Sequence, residues 1–297
     1  MKKETFDIHP CGVCGNTLFL LIFKKDSLSY EKCSNCDLIR IHPQPTDEEL
    51  DAIYQNGYYE AWGGSENAFR IMKRKTFSSI LGRLPKKKEK GRLLDIGAAT
   101  GILMKLAQER GYEVYGVEPS LEGVKIIKEK FGANHIFNAY FDQIDFSAKG
   151  ISEAFNVITM IDLFEHVREP NEALQQARSL LKVNGMISLC LPDTSALSAK
   201  IFKKNWNLYI PEHLFSFSHR NIVQLLEKNG FDILKFVTQP KYMTLDYMQG
   251  YLLRYPNGIG FLRSFLSLIP SVLKRIPILL YVGQMTIFAK KLNYERK

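Results

Sequence analysis

No internal repeat and no low-complexity tract interrupts the 297-residue chain, which excludes a solenoid or a biased linker as the source of its length. Nothing resembling a secretory signal follows Met1: Met-Lys-Lys-Glu-Thr-Phe-Asp leads straight towards a cysteine pair with no apolar segment. A cytoplasmic protein is therefore expected. The most apolar late stretch carries Phe261, Leu262, Phe265, Leu266, Leu268 and Ile269, but Pro270, Pro277, Arg263, Lys274 and Arg275 break it. It falls well short of the ~20 residues that a membrane helix requires. Clustered basic charge is scarce as well. Forty Lys and Arg against 31 Asp and Glu give +9, yet they are scattered, and the one run, Lys86, Lys87, Lys88 and Lys90, reads as a solvated linker before a strand. A nucleic-acid face would need basic residues grouped with aromatics. Nucleic acid is thus a disfavoured partner, and no pattern in the chain sets an oligomeric state.

What is present is ordinary for a globular protein: 45% hydrophobic and 24% charged residues. The length suffices for one full α/β domain with one or two small appendages. Four of the five cysteines form Cys11-x2-Cys14 and Cys33-x2-Cys36, with eighteen residues between the pairs. This is the spacing of a four-thiolate zinc site, and four thiolates leave the metal no open position, so structural Zn2+ is expected. A disulfide pair is the alternative, disfavoured without a sign of export. Glycine after the second cysteine eases each knuckle; Gly15 supplies it once, whereas Asp37 stands at the second. Thr17 to Phe23 and Ser27 to Glu31 read as a hairpin, which makes residues 1–45 a zinc ribbon. Cys190, inside the apolar run Met186 to Leu191, reads as a buried small hydrophobe.

Residues 46–90 read as a helical linker or cap, with a start signal at Thr46, then Tyr54, Tyr58 and Tyr59, and an amphipathic helix over 66–84. From 91 to 297 the pattern alternates. Strands are expected near 92–96, 113–118, 134–137, 155–161, 185–191, 231–238 and 284–290. Helices are expected near 101–110, 120–131, 171–182 and 219–229. Such alternation predicts an α/β fold with a mostly parallel sheet covered on both faces. Residues 240–278 then form an insertion. Its 255–280 portion is either a basic amphipathic surface helix able to touch a membrane, or a lid or dimer contact.

The residues with most chemical content are Leu93-Leu-Asp-Ile-Gly-Ala-Ala-Thr-Gly101, an apolar strand that turns through two glycines, and Glu118 at the end of the next strand. Gly97 and Gly101 permit a sharp turn with a ligand against bare backbone. Glu118, about 20 residues beyond, can accept hydrogen bonds from a ribose diol. The spacing is not Gly-x-Gly-x-x-Gly, and no Gly-Lys-Ser/Thr follows, so neither a dinucleotide fingerprint nor a P-loop is present. The segment resembles motif I of class I S-adenosylmethionine-dependent methyltransferases, written (Asp/Glu)-x-Gly-x-Gly-x-Gly; Asp95, Gly97 and Gly101 fit it, and Ala99 replaces the middle glycine. The resemblance implies a Rossmann-like fold of seven strands, the last antiparallel, with Gln284-Met-Thr-Ile-Phe-Ala-Lys-Lys291 as that strand. It also implies S-adenosylmethionine held by Asp95, Gly97, Ala98, Gly101, Glu118, Pro119, Met160 and Asp162. Asp95 would act indirectly on the methionine ammonium.

Ligands of open α/β sheets bind beyond the carboxyl ends of the strands. Met160-Ile-Asp-Leu-Phe-Glu-His-Val167 resembles the "LEHV" segment of small-molecule methyltransferases, with Phe164 in place of leucine. Asp162 and His166 would face the transfer site there, or His166 would cap and orient the next helix. Pro211-Glu-His-Leu-Phe-Ser-Phe-Ser218, with Trp206 before it, is similar to a segment of methyltransferases from polysaccharide and deoxysugar pathways. Some of these sugar-nucleotide enzymes also carry a four-cysteine zinc module and a paired-tyrosine segment. Tyr58, Tyr59 and Trp206 then become candidate substrate contacts, with packing as the alternative for the tyrosines. His213 is the first candidate for a general base, oriented by Glu212, with His166 second. The expected acceptor is a small molecule, a nucleotide-linked or polysaccharide-precursor sugar. The alternatives are an RNA methyltransferase delivered by its zinc module, and a non-catalytic scaffold that keeps the fold.

Overall fold

The computed structural model describes residues 9–25, 27–55, 66–84, 91–254, 266 and 268–293. The expected substrate contacts Tyr58 and Tyr59 and the Lys86–Lys90 run lie outside them. Seven strands form the main sheet: β4 (Arg92–Ile96), β5 (Glu113–Val117), β6 (Ile136–Phe137), β7 (Phe155–Ile161), β8 (Leu181–Pro192), β10 (Phe231–Met243) and β11 (Ile278–Lys291). Their order is β10-β11-β8-β7-β4-β5-β6, and β11 alone runs antiparallel, against both β8 and β10. This is the Rossmann-like arrangement expected from the sequence. Strand β7 is buried at five of its seven residues, as a central strand covered on both faces must be. Helices α3 (Ile102–Gln108), α4 (Leu121–Phe131), α5 (Pro170–Leu180) and α7 (His219–Lys228) alternate with the strands. Local signals set their ends. Ser120 caps α4 by accepting from the Gly123 amide at 3.4 Å, Pro170 opens α5, and Ser218 and Asn221 form a capping box on α7.

Two boundaries differ from the sequence reading. Strands β10 and β11 continue to Met243 and back to Ile278, so the intervening segment is shorter than the expected 240–278. Pro240 is the first residue of the expected insertion. It sits instead at a register shift between Gln239 and Lys241, where its missing N–H breaks no ladder bond. The segment between the strands carries α8 (Leu245–Arg254) and a short α9 (Ser271–Lys274). Leu268, Val272, Leu273 and Ile276 are exposed there. No helix among the described residues is long and apolar enough to cross a membrane.

The cysteine ribbon is not a separate lobe. Its strands β1 (Phe19–Lys25), β2 (Leu28–Cys33) and β3 (Ile39–Ile41) form a sheet whose fourth strand, β9 (Phe215–Ser216), comes from the main domain. Ile39 pairs with Ser216 and Arg40 with Phe215, and the Ile41 amide donates to the Leu214 carbonyl at 3.0 Å. Cys11, Val13, Cys33, Cys36 and Leu38 share one apolar core with Leu174, Phe217, Ile222 and Leu225. Helix α2 (Glu66–Leu81), the part of the expected 46–90 cap after α1 (Asp47–Gln55), packs on α3 and β10. The Tyr242 amide donates to Thr76 Oγ1 at 3.3 Å across that contact.

Candidate active site

At the end of β4 the chain turns through Gly97 and Gly101 with φ of 77° and 73°, and Ala99 between them is also left-handed at 48°. The Gly97 and Ala98 amides donate to the Val117 carbonyl at 2.9 and 3.0 Å, which ties the turn to the end of β5. Glu118 closes the frame: its Oε2 accepts from the Ala99 amide at 2.8 Å and its Oε1 from the Ser120 amide at 2.9 Å. An ionised carboxylate has about four acceptor positions, so both oxygens retain capacity for a diol. The Asn138 side chain bridges the carbonyls of Glu118 and Pro119 at 3.1 and 3.0 Å. Asp95, 4% exposed, accepts from Thr159 Oγ1 at 2.7 Å. Burial lifts its carboxyl to about 7, against the opposing pull of that hydrogen bond. A buried acid at one strand end, a second at the next and a turn of bare backbone between them fit a ribonucleoside that carries a cationic amino-acid tail. Gly123, which the sequence reading overlooked, is part of the cradle. A Cβ on it would collide with the Ala99 carbonyl oxygen, so only glycine lets α4 approach the turn. Met160, expected at the cofactor, is fully buried among Ile96, Ile158 and Leu189. Its side chain belongs to the core, because its direction from β7 is set by the two-residue pleat.

The next carboxyl ends hold a second cluster. Residues Phe164–His166 form a 3-10 turn after β7, and the loop before β9 lays His213 against it. The rings of His166 and His213 meet edge to face, 4.8 Å between centroids. His213 Nδ1 donates to the Leu208 carbonyl at 2.7 Å, which leaves Nε2 of the neutral ring as an acceptor. That nitrogen lies 3.8 Å from Glu165 Oε1. Glu165 is 1% exposed, and among the described residues neither of its oxygens has a hydrogen-bond partner. Burial, reinforced by the charge of Asp162, raises its carboxyl to about 8. Burial lowers His166 to about 4 and holds His213 well below its ordinary value, with repulsion from His166 adding to the latter. The three side chains each bring one ligand atom within 4.8 Å of the others, close enough to share a divalent cation.

Several expectations change here. Glu212 was the expected orienter of His213. Its backbone is bonded by the His166 ring, and the carboxylate that faces His213 is Glu165. The sequence reading passed over Glu165 between two better candidates, although its place in Leu-Phe-Glu-His was the available signal. Trp206 is not at a ligand surface. It is fully buried, donates from Nε1 to Ser198 Oγ at 3.2 Å, and packs against Tyr209 with Tyr30 and Ile41 of the ribbon in the same cluster. Asp162, expected at the cofactor, has a left-handed φ of 55° and is taken up by Lys241, Lys73 and Gln284.

The four ribbon cysteines converge, with their sulfurs all within 4.8 Å of one another and two pairs at 3.5 Å. A tetrahedral zinc with bonds of ~2.3 Å requires sulfurs ~3.8 Å apart, so the set fits a structural zinc. Gly15 and Asp37 both take left-handed φ, 74° and 63°. The second knuckle therefore makes the same turn as the first without glycine, which aspartate tolerates better than most residues. Asn221 of the α7 capping box donates to the Cys36 carbonyl at 3.4 Å, so the knuckle and the helix after the His213 loop hold each other.

Ala99→Gly should stabilise the protein by roughly 0.5–1 kcal/mol, since relief of ~1–2 kcal/mol of left-handed strain exceeds the ~0.5–1 kcal/mol entropy cost of glycine. Urea unfolding of the two proteins gives the answer, and a less stable variant would show that the methyl group packs usefully. Removal of zinc by a chelator should expose amides beyond the ribbon. Hydrogen exchange should accelerate at residues 38–41 and at 214–217 while β4 and β7 stay protected. Exchange confined to the knuckles would mean that the loop keeps its place without the metal.

Residues 68–235, more than half of the chain, match a family described as a methyltransferase domain. Curated relatives include a mitochondrial ubiquinone biosynthesis O-methyltransferase of Schizosaccharomyces pombe, 26% identical over 125 residues, covering 41% of this chain and 44% of that protein. The corresponding enzyme of Glaesserella parasuis is 29% identical over 102 residues, 32% of this chain and 43% of the relative. An uncharacterised methyltransferase of Alkaliphilus oremlandii is 32% identical over 114 residues, 38% and 50% respectively. The chain thus spans about half the length of the curated relatives it matches. Among solved structures, a SAM-dependent methyltransferase of Thermotoga maritima superposes with a TM-score of 0.51 at 20% identity, over 81% of this chain and 99% of that one. The [4+2]-cyclase SpnF gives a TM-score of 0.55 at 14% identity, over 84% and 97%. At such identities these structures speak to the fold alone, and the family match carries the assignment: the chain belongs to the S-adenosylmethionine-dependent methyltransferases.

Proposed function

We propose that the protein methylates a hydroxyl group of a small-molecule acceptor, with Glu165 and His213 together receiving the acceptor proton. The observation that carries this reading is the buried Glu165, its two oxygens without hydrogen-bond partners among the described residues and its Oε1 3.8 Å from an accepting histidine nitrogen, beside the cofactor half of the same sheet edge. S-Adenosylmethionine supplies a methyl group already activated on a sulfonium. The residues of this chain then have three tasks: to align the nucleophile, to exclude water and to take up a proton. Burial of Glu165 and His213 performs the second, and their contact supports the third. Among sequence expectations, a sugar hydroxyl was the first acceptor. Relatives named as ubiquinone biosynthesis O-methyltransferases support oxygen as the acceptor atom, and a phenolic hydroxyl is the other candidate. A phenol, with a pKa of about 10, is far easier to deprotonate than an aliphatic hydroxyl, which lies closer to the ~15.7 of water. Buried histidines are weak bases, so we favour the phenol-type acceptor and keep the nucleotide-linked sugar second.

Glu165→Gln and His213→Ala should each reduce turnover at least ~100-fold, in the range of general-base removal, with the affinity for S-adenosylhomocysteine within about threefold of wild type. Near-normal turnover in either would remove that residue from the proton path. Activity lost on chelation and restored by Mn2+, with zinc still in the ribbon, would assign the cluster to a cation instead. A separate titration concerns Asp95. Its ionised form supports the ligand ammonium, so affinity for S-adenosylhomocysteine should be highest above pH 7 and fall as pH drops through about 7, where burial places its carboxyl. Asp95→Asn should bind more weakly with no such slope. Equal pH profiles for the two proteins would mean that another group controls binding.

A further inference from the structure

The carboxyl edge of the sheet has two halves. Asp95 and Glu118, at the ends of β4 and β5, frame the cofactor half. The other half, beyond β7, β8 and β10, is where Asp162 meets Lys241 and Lys73. Lys241 Nζ lies 2.9 Å from both Asp162 oxygens, Lys73 Nζ lies 3.4 Å from Oδ2, and Gln284 Nε2 donates to Oδ1 at 3.1 Å. Three separate elements supply these groups: α2, β10 and β11. Glu165, three residues on, is turned to His213 and not to the lysines. Two ammonium groups therefore converge on one carboxylate at a largely buried position. Their side chains are 27% and 21% exposed, enough for a ligand to reach them.

A purely structural ion pair would not need the second lysine. Burial of a charge without a partner costs several kcal/mol, whereas a matched pair recovers part of that cost. Desolvation lowers Lys73 despite the attraction of Asp162, whereas Lys241, bonded to both oxygens, is raised. Lys241 is the committed partner of Asp162, and Lys73 is the surplus charge. The sulfonium of a bound cofactor adds another positive charge to the same edge. An acidic group on the acceptor would complete the balance and gain from the low dielectric of the site.

We propose that Lys73 and Lys241 form an anion-recognition site for the acceptor, which selects substrates that carry a carboxylate or phosphate group beside the methylated hydroxyl. This rests on the methyltransfer reading above and narrows it to acidic acceptors. Lys73, the more weakly bonded of the two to Asp162, makes the direct contact; Lys241, bonded to both oxygens, neutralises Asp162; and Gln284 fixes the carboxylate in place.

The test uses the full-length, zinc-loaded protein saturated with S-adenosylhomocysteine, and calorimetric titration with three probes: 3,4-dihydroxybenzoate, its uncharged methyl ester, and UDP. The acid or UDP should bind at least tenfold more tightly than the ester. Which of the two binds identifies a carboxylate or a diphosphate as the recognised group. Lys73→Met should erase that preference and Lys73→Arg should restore most of it, each with unchanged affinity for S-adenosylhomocysteine as proof of folding. Lys241→Met should weaken the preference less. No saturable binding of either anion to the wild-type complex would overturn the proposal, as would a preference that survives Lys73→Met. Protein that binds S-adenosylhomocysteine but neither anion rejects this site alone. Protein that binds no S-adenosylhomocysteine rejects the reading on which the site depends.

Discussion

The short pairing of β3 with β9 connects the parts of this molecule. Two residue pairs, Ile39 with Ser216 and Arg40 with Phe215, join a cysteine-stapled ribbon to the loop that carries Glu212 and His213. Two-residue strands have little stability of their own. This one persists because Phe217, fully buried against Phe164 at 5.5 Å, continues the contact into the core, and because Ser218 and Asn221 start α7 immediately afterwards. The Phe164 ring belongs to the same turn as Glu165 and His166. One run of packing therefore extends from the cysteine sulfurs to the acid–histidine cluster. In this arrangement the ribbon is a brace for the loop that carries His213.

The sheet edge behind that brace carries uncommon electrostatics. Asp95, Glu118 and Glu165 are all 5% exposed or less, and burial raises each of their carboxyls. Asp162, a few residues from Glu165, goes the other way: burial would raise it, but Lys241 and Lys73 hold it well below the usual carboxylate range. Carboxyl groups along one edge are thus driven apart in acidity by whether a cation stands beside them. Such separation of neighbouring acids is how a single scaffold assigns different proton roles. The protein bears the cost in its fold, through left-handed backbone at Ala99 and Asp162 and buried polar atoms at Glu165.

Much of this could be read from the chain. The apolar runs and their alternation placed all seven main strands, and Gly97, Gly101 and Glu118 marked the turn that the structure closes with left-handed backbone and a carboxylate, because local backbone rules act over a few residues. The knuckle spacing located the four converging thiols for the same reason. Misjudgements occurred where a residue's role depends on neighbours distant in sequence. Trp206 looked like a substrate contact and is ribbon packing. Glu212 was the expected orienter of His213, and the fold sets a second carboxyl, Glu165, 3.8 Å from its Nε2. Pro240, at the start of the expected insertion, lies inside β10 at a register shift.

The sequence by itself determined the strand-to-helix turn at Gly97 and Gly101, the four-cysteine set and the alternation of strands and helices. Each follows from backbone torsions, metal-ligand chemistry or the two-residue pleat, which need no knowledge of what lies across the molecule. Tertiary structure alone decided that Lys73 and Lys241, 168 residues apart, share one carboxylate, and that Glu165 faces His213. It also decided that the ribbon completes its sheet with a strand of the main domain. The physical reason is range. Burial and Coulomb forces act on whatever the fold brings within a few ångströms, and sequence spacing carries no record of that proximity.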